Sequence, residues 1–177
     1  MSYRARSMVA RPTADLAAPW YGGARPHYTQ IDDADVYTPS PGDGLIIYAK
    51  KSGGNDDSNE EEQWKLDPET AHPKMFIVFE LDILLYAQHA SGEGDLTWRS
   101  YHDGAWSSFT PVGTGVSYAW FQRNFPYSPS KKWGWGILDD WRMGVKTPTL
   151  NNKGTTHSVD TAYGIYRWWW TQAAITI

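Results

Sequence analysis

Apolar and polar positions alternate with a period of two along most of the chain. The clearest run covers residues 75–86, where Met75, Ile77, Phe79, Leu81, Ile83 and Leu85 are all apolar. The intervening positions are mixed, with Glu80 and Asp82 in the middle. That alternation predicts a strand with one face on the core and the other partly wet. At helical spacing Glu80 would meet apolar neighbours on every side. Residues 45–50 predict a second strand, launched from the turn-rich stretch 39–44. Residues 96–101 and 105–109 flank His102-Asp103-Gly104, which reads as a hairpin closed by an Asp-Gly turn. Residues 116–123 and 163–177 predict further strands, the last rich in aromatic and β-branched side chains. Residues 133–142 are ambiguous, and 137–143 could form one helical turn. No stretch of twelve residues carries a 3.6-residue period. The sum is six to eight strands separated by turn signals. This predicts an all-β fold, an antiparallel β-sandwich of the jelly-roll type.

Charge divides the chain into three regions. Residues 1–30 hold four Arg and one Asp, net +3. Residues 31–70 hold eleven acids and three Lys, net −8, and the rest of the chain is near neutral. The expected organisation is an N-terminal extended arm over 1–30 and strands over 31–90 interrupted by an acidic loop at 52–63. An aromatic-rich β region over 91–177 then completes the sandwich or forms a projection. The acidic run from Asn55 to Glu62 repels itself and lacks apolar surface, so it reads as a long solvated loop.

Composition narrows the chemistry. The chain has no cysteine, which excludes disulfides, thiolate metal sites and a Cys nucleophile. The net charge of −4 does not build a surface that attracts nucleic acid as a whole. Neither apolar stretch, 75–86 nor 163–177, reaches the ~20 apolar residues of a spanning helix, so no membrane partner is expected. The five histidines lack metal-ligand spacing, and no nucleophile elbow, phosphate loop or dinucleotide fingerprint occurs. The chain is therefore not read as an enzyme. Glu80 and Asp82 share one side of a strand about 7 Å apart, a separation compatible with glycoside chemistry. The competing reading makes them the solvent face of a half-buried strand, or pairs them with Arg or Lys on a neighbouring strand. Asp32, Asp33 and Asp35 offer hard oxygen ligands that suit Ca²⁺, against a simple solvated acidic turn. No other cofactor is expected.

The eleven Trp beside eleven Tyr are the strongest compositional signal. Ten of the Trp follow residue 60. Some must fill the core; exposed ones would serve sugar-binding or protein interfaces. The candidates for a ligand, receptor or subunit surface are Trp98, Tyr101, Trp106, Trp133, Trp135, Trp168, Trp169 and Trp170. In the sugar-binding reading Trp98, Tyr101 and Trp106 stack on sugar rings while Arg99 and Asp103 bind hydroxyls. Because neighbours in a strand face opposite ways, Trp168 and Trp170 share a side and Trp169 takes the other.

Residues 18–88 carry a resemblance. Ala18-Pro-Trp-Tyr21 leads into the polar stretch 32–37; a Pro-Gly turn precedes Gly44-Leu-Ile-Ile-Tyr-Ala49; a hydrophilic loop follows, then the strand 75–86 with interior Glu80 and Asp82. This resembles the last strands of the jelly-roll shell domain in coat proteins of small icosahedral RNA viruses, the tombusvirus-, nodavirus- and sobemovirus-like group. The resemblance implies a capsid protein that self-assembles into a shell in the virion, with itself or other capsid subunits as partners. It also implies RNA contact through Arg4, Arg6 and Arg11. It leaves open whether the chain is part of a larger capsid or completes its sandwich with the aromatic region. Residues 96–109 also look like hairpins of phage tail-fibre and carbohydrate-binding modules. They carry the alternative function, a carbohydrate-binding β-sandwich.

Overall fold

A computed structural model describes residues 4–21, 25–31, 46–52, 54–68, 76–126, 135–151, 154 and 156–170, and among these eleven strands account for nearly all the regular structure. They are β1 (Arg4–Ala17), β2 (Ile47–Ser52), β3 (Asn55–Asp56), β4 (Glu61–Pro68), β5 (Phe76–Gln88) and β6 (Thr97–His102). β7 (Ala105–Trp106), β8 (Thr110–Pro111), β9 (Ala119–Pro126), β10 (Arg142–Lys146) and β11 (Thr156–Trp170) follow. Two short 3₁₀ turns, His27–Gln30 and Trp135–Ile137, complete the described regular structure. The fold is an antiparallel β-sandwich, as the alternation predicts.

One strand joins the two layers. Residues 4–10 of β1 pair with β11, and residues 10–17 pair with β4. The change of partner is accompanied by bulges around Thr13 and Leu16, and Pro12 sits beside the first. A bulge is where a sheet tolerates proline and bends. The first layer is β9-β5-β11, with β2 and the first half of β1 on the far edge of β11. The second is the other half of β1, then β4, β10 and β6, with the short β7 and β8 beyond. Trp64, Leu66, Trp98, Met143 and Val145 from the second layer meet Leu81, Ile83, Leu85, Ala162 and Tyr166 from the first in one continuous core. At the open side the Arg123 guanidinium of β9 donates to the carbonyls of Trp98 (2.9 Å) and Ser108 (3.1 Å) and so links the layers.

Three expectations are corrected. Within the segment 1–30 expected as an extended arm, β1 (Arg4–Ala17) lies instead inside the sheet with partners on both sides. The acidic stretch 52–63 is not a long loop. It holds the tight β2–β3 hairpin and the start of β4, and two of its carboxylates, Asp57 and Glu62, are buried. The Asp57 side chain accepts the backbone N–H groups of Lys50 (2.9 Å) and Tyr21 (3.1 Å), so it replaces missing ladder partners. The helical turn considered at 137–143 gives way to the 3₁₀ turn Trp135–Ile137 and then β10, where Met143 and Val145 face the core.

The long strand β5 departs from strict alternation. Arg167 of β11 opposes Glu80, but the next residue, Trp168, opposes Val78, so Phe79 is the extra residue of a bulge. The bulge shifts the phase: Val78 is buried upstream of it, and Leu81, Ile83 and Leu85 downstream. The hairpin expected at Asp103-Gly104 is present, with His102 opposite Ala105 and positive φ at Asp103 (56°) and Gly104 (77°). Two such residues make the turn whose twist matches the strands.

Candidate functional site: a stacked aromatic and guanidinium face

The outer face of the second layer carries the site. β4, β10 and β6 align Glu61, Lys146 and Thr97 in one row, Gln63, Gly144 and Arg99 in the next, and Lys65, Arg142 and Tyr101 in a third. Trp106 extends the third row from β7. The alternate residues of the same strands, Trp64, Trp98, Met143 and Val145, point into the core. The face is thus fixed by strand parity.

The Arg99 guanidinium is its centre. Nε and Nη2 donate to Glu61 Oε1 (2.8 Å) and Oε2 (2.6 Å) in a two-pronged pair. The same guanidinium carbon lies 4.2 Å from the Trp106 ring centroid and 4.4 Å from that of Phe109. Tyr101 meets Trp106 edge-to-face at 5.5 Å. Arg142 covers Tyr101 at 4.6 Å, and Lys146 lies 5.5 Å from the Phe109 centroid. Arg142 in turn is held by both oxygens of Asp140, each at 2.7 Å. Each cation–ring contact contributes roughly 0.5–1 kcal/mol at an exposed site. The groups thus form one continuous stack on the outer face, with the Arg99 and Arg142 side chains only partly exposed. Gly144 makes it possible. A Cβ there would overlap the Glu61 carboxylate and stand 3.4 Å from the Trp106 ring, so only glycine lets the Arg99–Glu61 pair lie against the sheet.

The expected site residues fare unequally. Tyr101 and Trp106 are brought together on this face. Trp98 is not with them: it is only 3% exposed, since its even position on β6 points inward while Arg99 and Tyr101 point outward. Its assignment to a ligand surface is corrected to the core. Trp168 is corrected in the same way, at 4% exposure. Trp133 lies outside the described residues. Trp135 belongs to a 3₁₀ turn and Trp169 and Trp170 to β11, but their side chains lie outside what is described. Among the described residues five Trp, namely Trp20, Trp64, Trp98, Trp141 and Trp168, share the main core. Asp103 sits exposed in the hairpin turn.

Of the basic trio, Arg4 and Arg6 are β1 residues opposite Trp170 and Trp168, and Arg11 is opposite Asp67. Arg6 is exposed and Arg11 half-buried, and their opposite parity puts them on different faces. Asp32, Asp33 and Asp35 lie outside the described residues. Among the described residues no group of three or more His, Asp or Glu is arranged to hold a metal ion, and no helix is long and apolar enough to cross a membrane. Glu80 and Asp82 do share a side of β5. The Arg167 guanidinium pairs with both, at 2.9 Å from Glu80, and the Asn124 amide donates to both, at 2.8 Å to Asp82. They are tied to neighbouring strands, as the alternative of pairing with a neighbouring Arg has it, while Asp82 is fully buried and so does not lie on a wet face.

Two features carry no local sequence signal. One is the Arg99–Glu61 pair with Phe109, whose members are far apart in the chain. The other is a buried cluster in which His27 Nδ1 lies 3.1 Å from Glu62 Oε2, both side chains being fully buried. The Trp20 N–H donates to Glu62 Oε1 at 2.7 Å, and Asp15 accepts the N–H groups of His27 and Tyr28. Burial pushes the Glu62 carboxyl above its usual range, against the hydrogen bonds from His27 and Trp20 that favour the anion. Burial likewise pushes His157 below its usual range. Its Nε2–H donates to the Gly94 carbonyl at 2.9 Å, with His89 adjacent. No family model matches the chain, and no curated protein matches it.

Proposed function

We propose that this protein is a carbohydrate-recognition β-sandwich whose binding surface is the outer face of β4, β10 and β6. The observation that carries this reading is the Arg99–Glu61 pair set against Trp106 and Phe109 on an open sheet face. Planar, paired charged groups beside aromatic rings suit a polyhydroxyl ligand: the rings take apolar C–H surface and the group edges exchange hydrogen bonds with hydroxyls. Nucleic acid suits the face less. Arg99, Arg142 and Lys65 are each bound to a carboxylate, Glu61, Asp140 and Asp67, which would repel phosphates. Intrinsic fluorescence titration after a glycan array tests it. Quenching by at least one oligosaccharide is expected, lost in Trp106→Ala and weakened in Tyr101→Ala. Absence of binding across the array overturns the reading.

A second reading, a virion shell subunit of jelly-roll type, is supported by one observation. The two strands of the coat-protein resemblance, β2 and β5, flank β11 on opposite edges, with Ser158 opposite both Tyr48 and Gln88. Negative-stain microscopy decides it: particles or regular oligomers support the reading, and a monomer at all salt and pH conditions sinks it.

A further inference from the structure

We propose that the β4–β10–β6 face selects a sugar bearing a carboxylate, uronate or sialate, and that Lys146 receives that carboxylate. The inference rests on the carbohydrate reading and adds the ligand's charge. Among the described residues the face presents four cations. Lys65 ends on Asp67 at 2.9 Å, Arg99 on Glu61 at 2.6 Å and Arg142 on Asp140 at 2.6 Å. Among the described residues Lys146 has no carboxylate within ion-pair distance. Its nearest acid in register, Glu61, already gives both oxygens to Arg99. The ammonium lies 5.5 Å from the Phe109 centroid, at the end of the same stack that offers Arg99 and Trp106. A neutral sugar would leave this charge without a counterion, whereas one sugar carboxylate completes it. A polyanion has no place, because the other cations are taken and their three carboxylates would oppose further negative charge. Lysine suits the role: its ammonium is a flexible point charge that follows the carboxylate of a ligand seated on the rings.

Calorimetric titration of the full chain tests the inference, using a uronate-ended oligosaccharide, a sialyl oligosaccharide and the uncharged oligosaccharide of the same backbone. About tenfold tighter binding of one acidic ligand over the neutral one is expected, worth roughly 1.4 kcal/mol. The preference should shrink in high salt, vanish in Lys146→Met and survive in Lys146→Arg, with thermal unfolding of all three proteins alike. Whichever acidic arm binds more tightly names the source of the carboxylate. Equal binding of acidic and neutral sugars, or a preference that survives in Lys146→Met, overturns the inference and leaves the carbohydrate reading standing. Binding to no sugar removes both.

Discussion

The Trp141 indole lies against Gly164 of β11 so closely that a Cβ on that glycine would overlap the ring. Trp141 Nε1–H also donates to Ser100 Oγ of β6 at 3.0 Å. One indole thus spans the sandwich, hydrogen-bonded to the second layer and seated on the backbone of the first. Gly164→Ala is expected to destabilise by about 1–3 kcal/mol, the usual cost of overpacking. The urea midpoint should fall with an unchanged slope. An unaltered midpoint would mean that the indole can move aside freely.

Trp98 and Trp106 should separate stability from recognition. Trp98→Ala empties a buried site and is expected to cost roughly 3–5 kcal/mol. Trp106→Ala, at a half-exposed position, should cost less than about 1.5 kcal/mol yet abolish glycan quenching. Urea unfolding and fluorescence titration of both variants check the assignment of the two faces of the hairpin.

His157 gives an acid-sensitive contribution to stability. Burial lowers its folded-state pKa below the ordinary 6.5, so the unfolded chain takes up a proton that the fold resists. The contribution is complete above the ordinary value and is lost as pH falls from there towards the lowered one. A proton on Nδ1 would find no acceptor in that buried position. His157→Gln is expected to flatten the acid limb of the stability curve, measured by urea unfolding between neutral and mildly acidic pH. His89, Glu93 and Asp95 lie close enough to modulate the limb, not to reverse its sign.

Glu62 works in the opposite direction. Its folded-state pKa is raised above the ordinary 4.5, so the fold retains a proton that the unfolded chain releases. This contribution is present below the ordinary value and is lost as pH rises through the raised one. Glu62→Gln removes that slope while keeping an acceptor for the Trp20 N–H, and is expected to be neutral or stabilising at pH 7. Glu62→Ala should destabilise by about 1–3 kcal/mol or more, because it leaves a buried donor unsatisfied.

Replacing residues 53–62 by a short Gly-Ser turn is expected to abolish folding, as circular dichroism would report. A plain loop would tolerate shortening, since closure changes by only ~0.6 kcal/mol per doubling of length. This segment instead supplies Asp57, Glu62, the first residues of β4 and the carbonyls of Asp57 and Glu60 that accept the Thr147 hydroxyl. A folded deletion variant would show those bonds to be dispensable.

The class of the fold and the position of its best strands are legible in the sequence. The alternation around Leu81, Ile83 and Leu85 and the Asp103-Gly104 turn are local properties, and local sterics and turn chemistry decide them without reference to the rest of the chain. β4 carried the same kind of signal in Trp64 and Leu66, but the acidic run beside it overrode the reading. A carboxylate such as Glu62 occupies a core position only because Trp20 and His27, 42 and 35 residues away, supply its hydrogen bonds. β1 was hidden for a related reason: three arginines and Pro12 look unlike a central strand until the bulge and the change of partner are seen. The site itself belongs to tertiary structure. Arg99 finds Glu61 across 38 residues, and the Glu61 carboxylate rests on a glycine of a third strand. Strand parity puts Trp98 and Tyr101 on opposite faces of β6, which the reading of both as one sugar-stacking set did not take into account. Which of the two faces was the core depended on what the second layer packed against, and burial of apolar surface against β5 and β11 decided it.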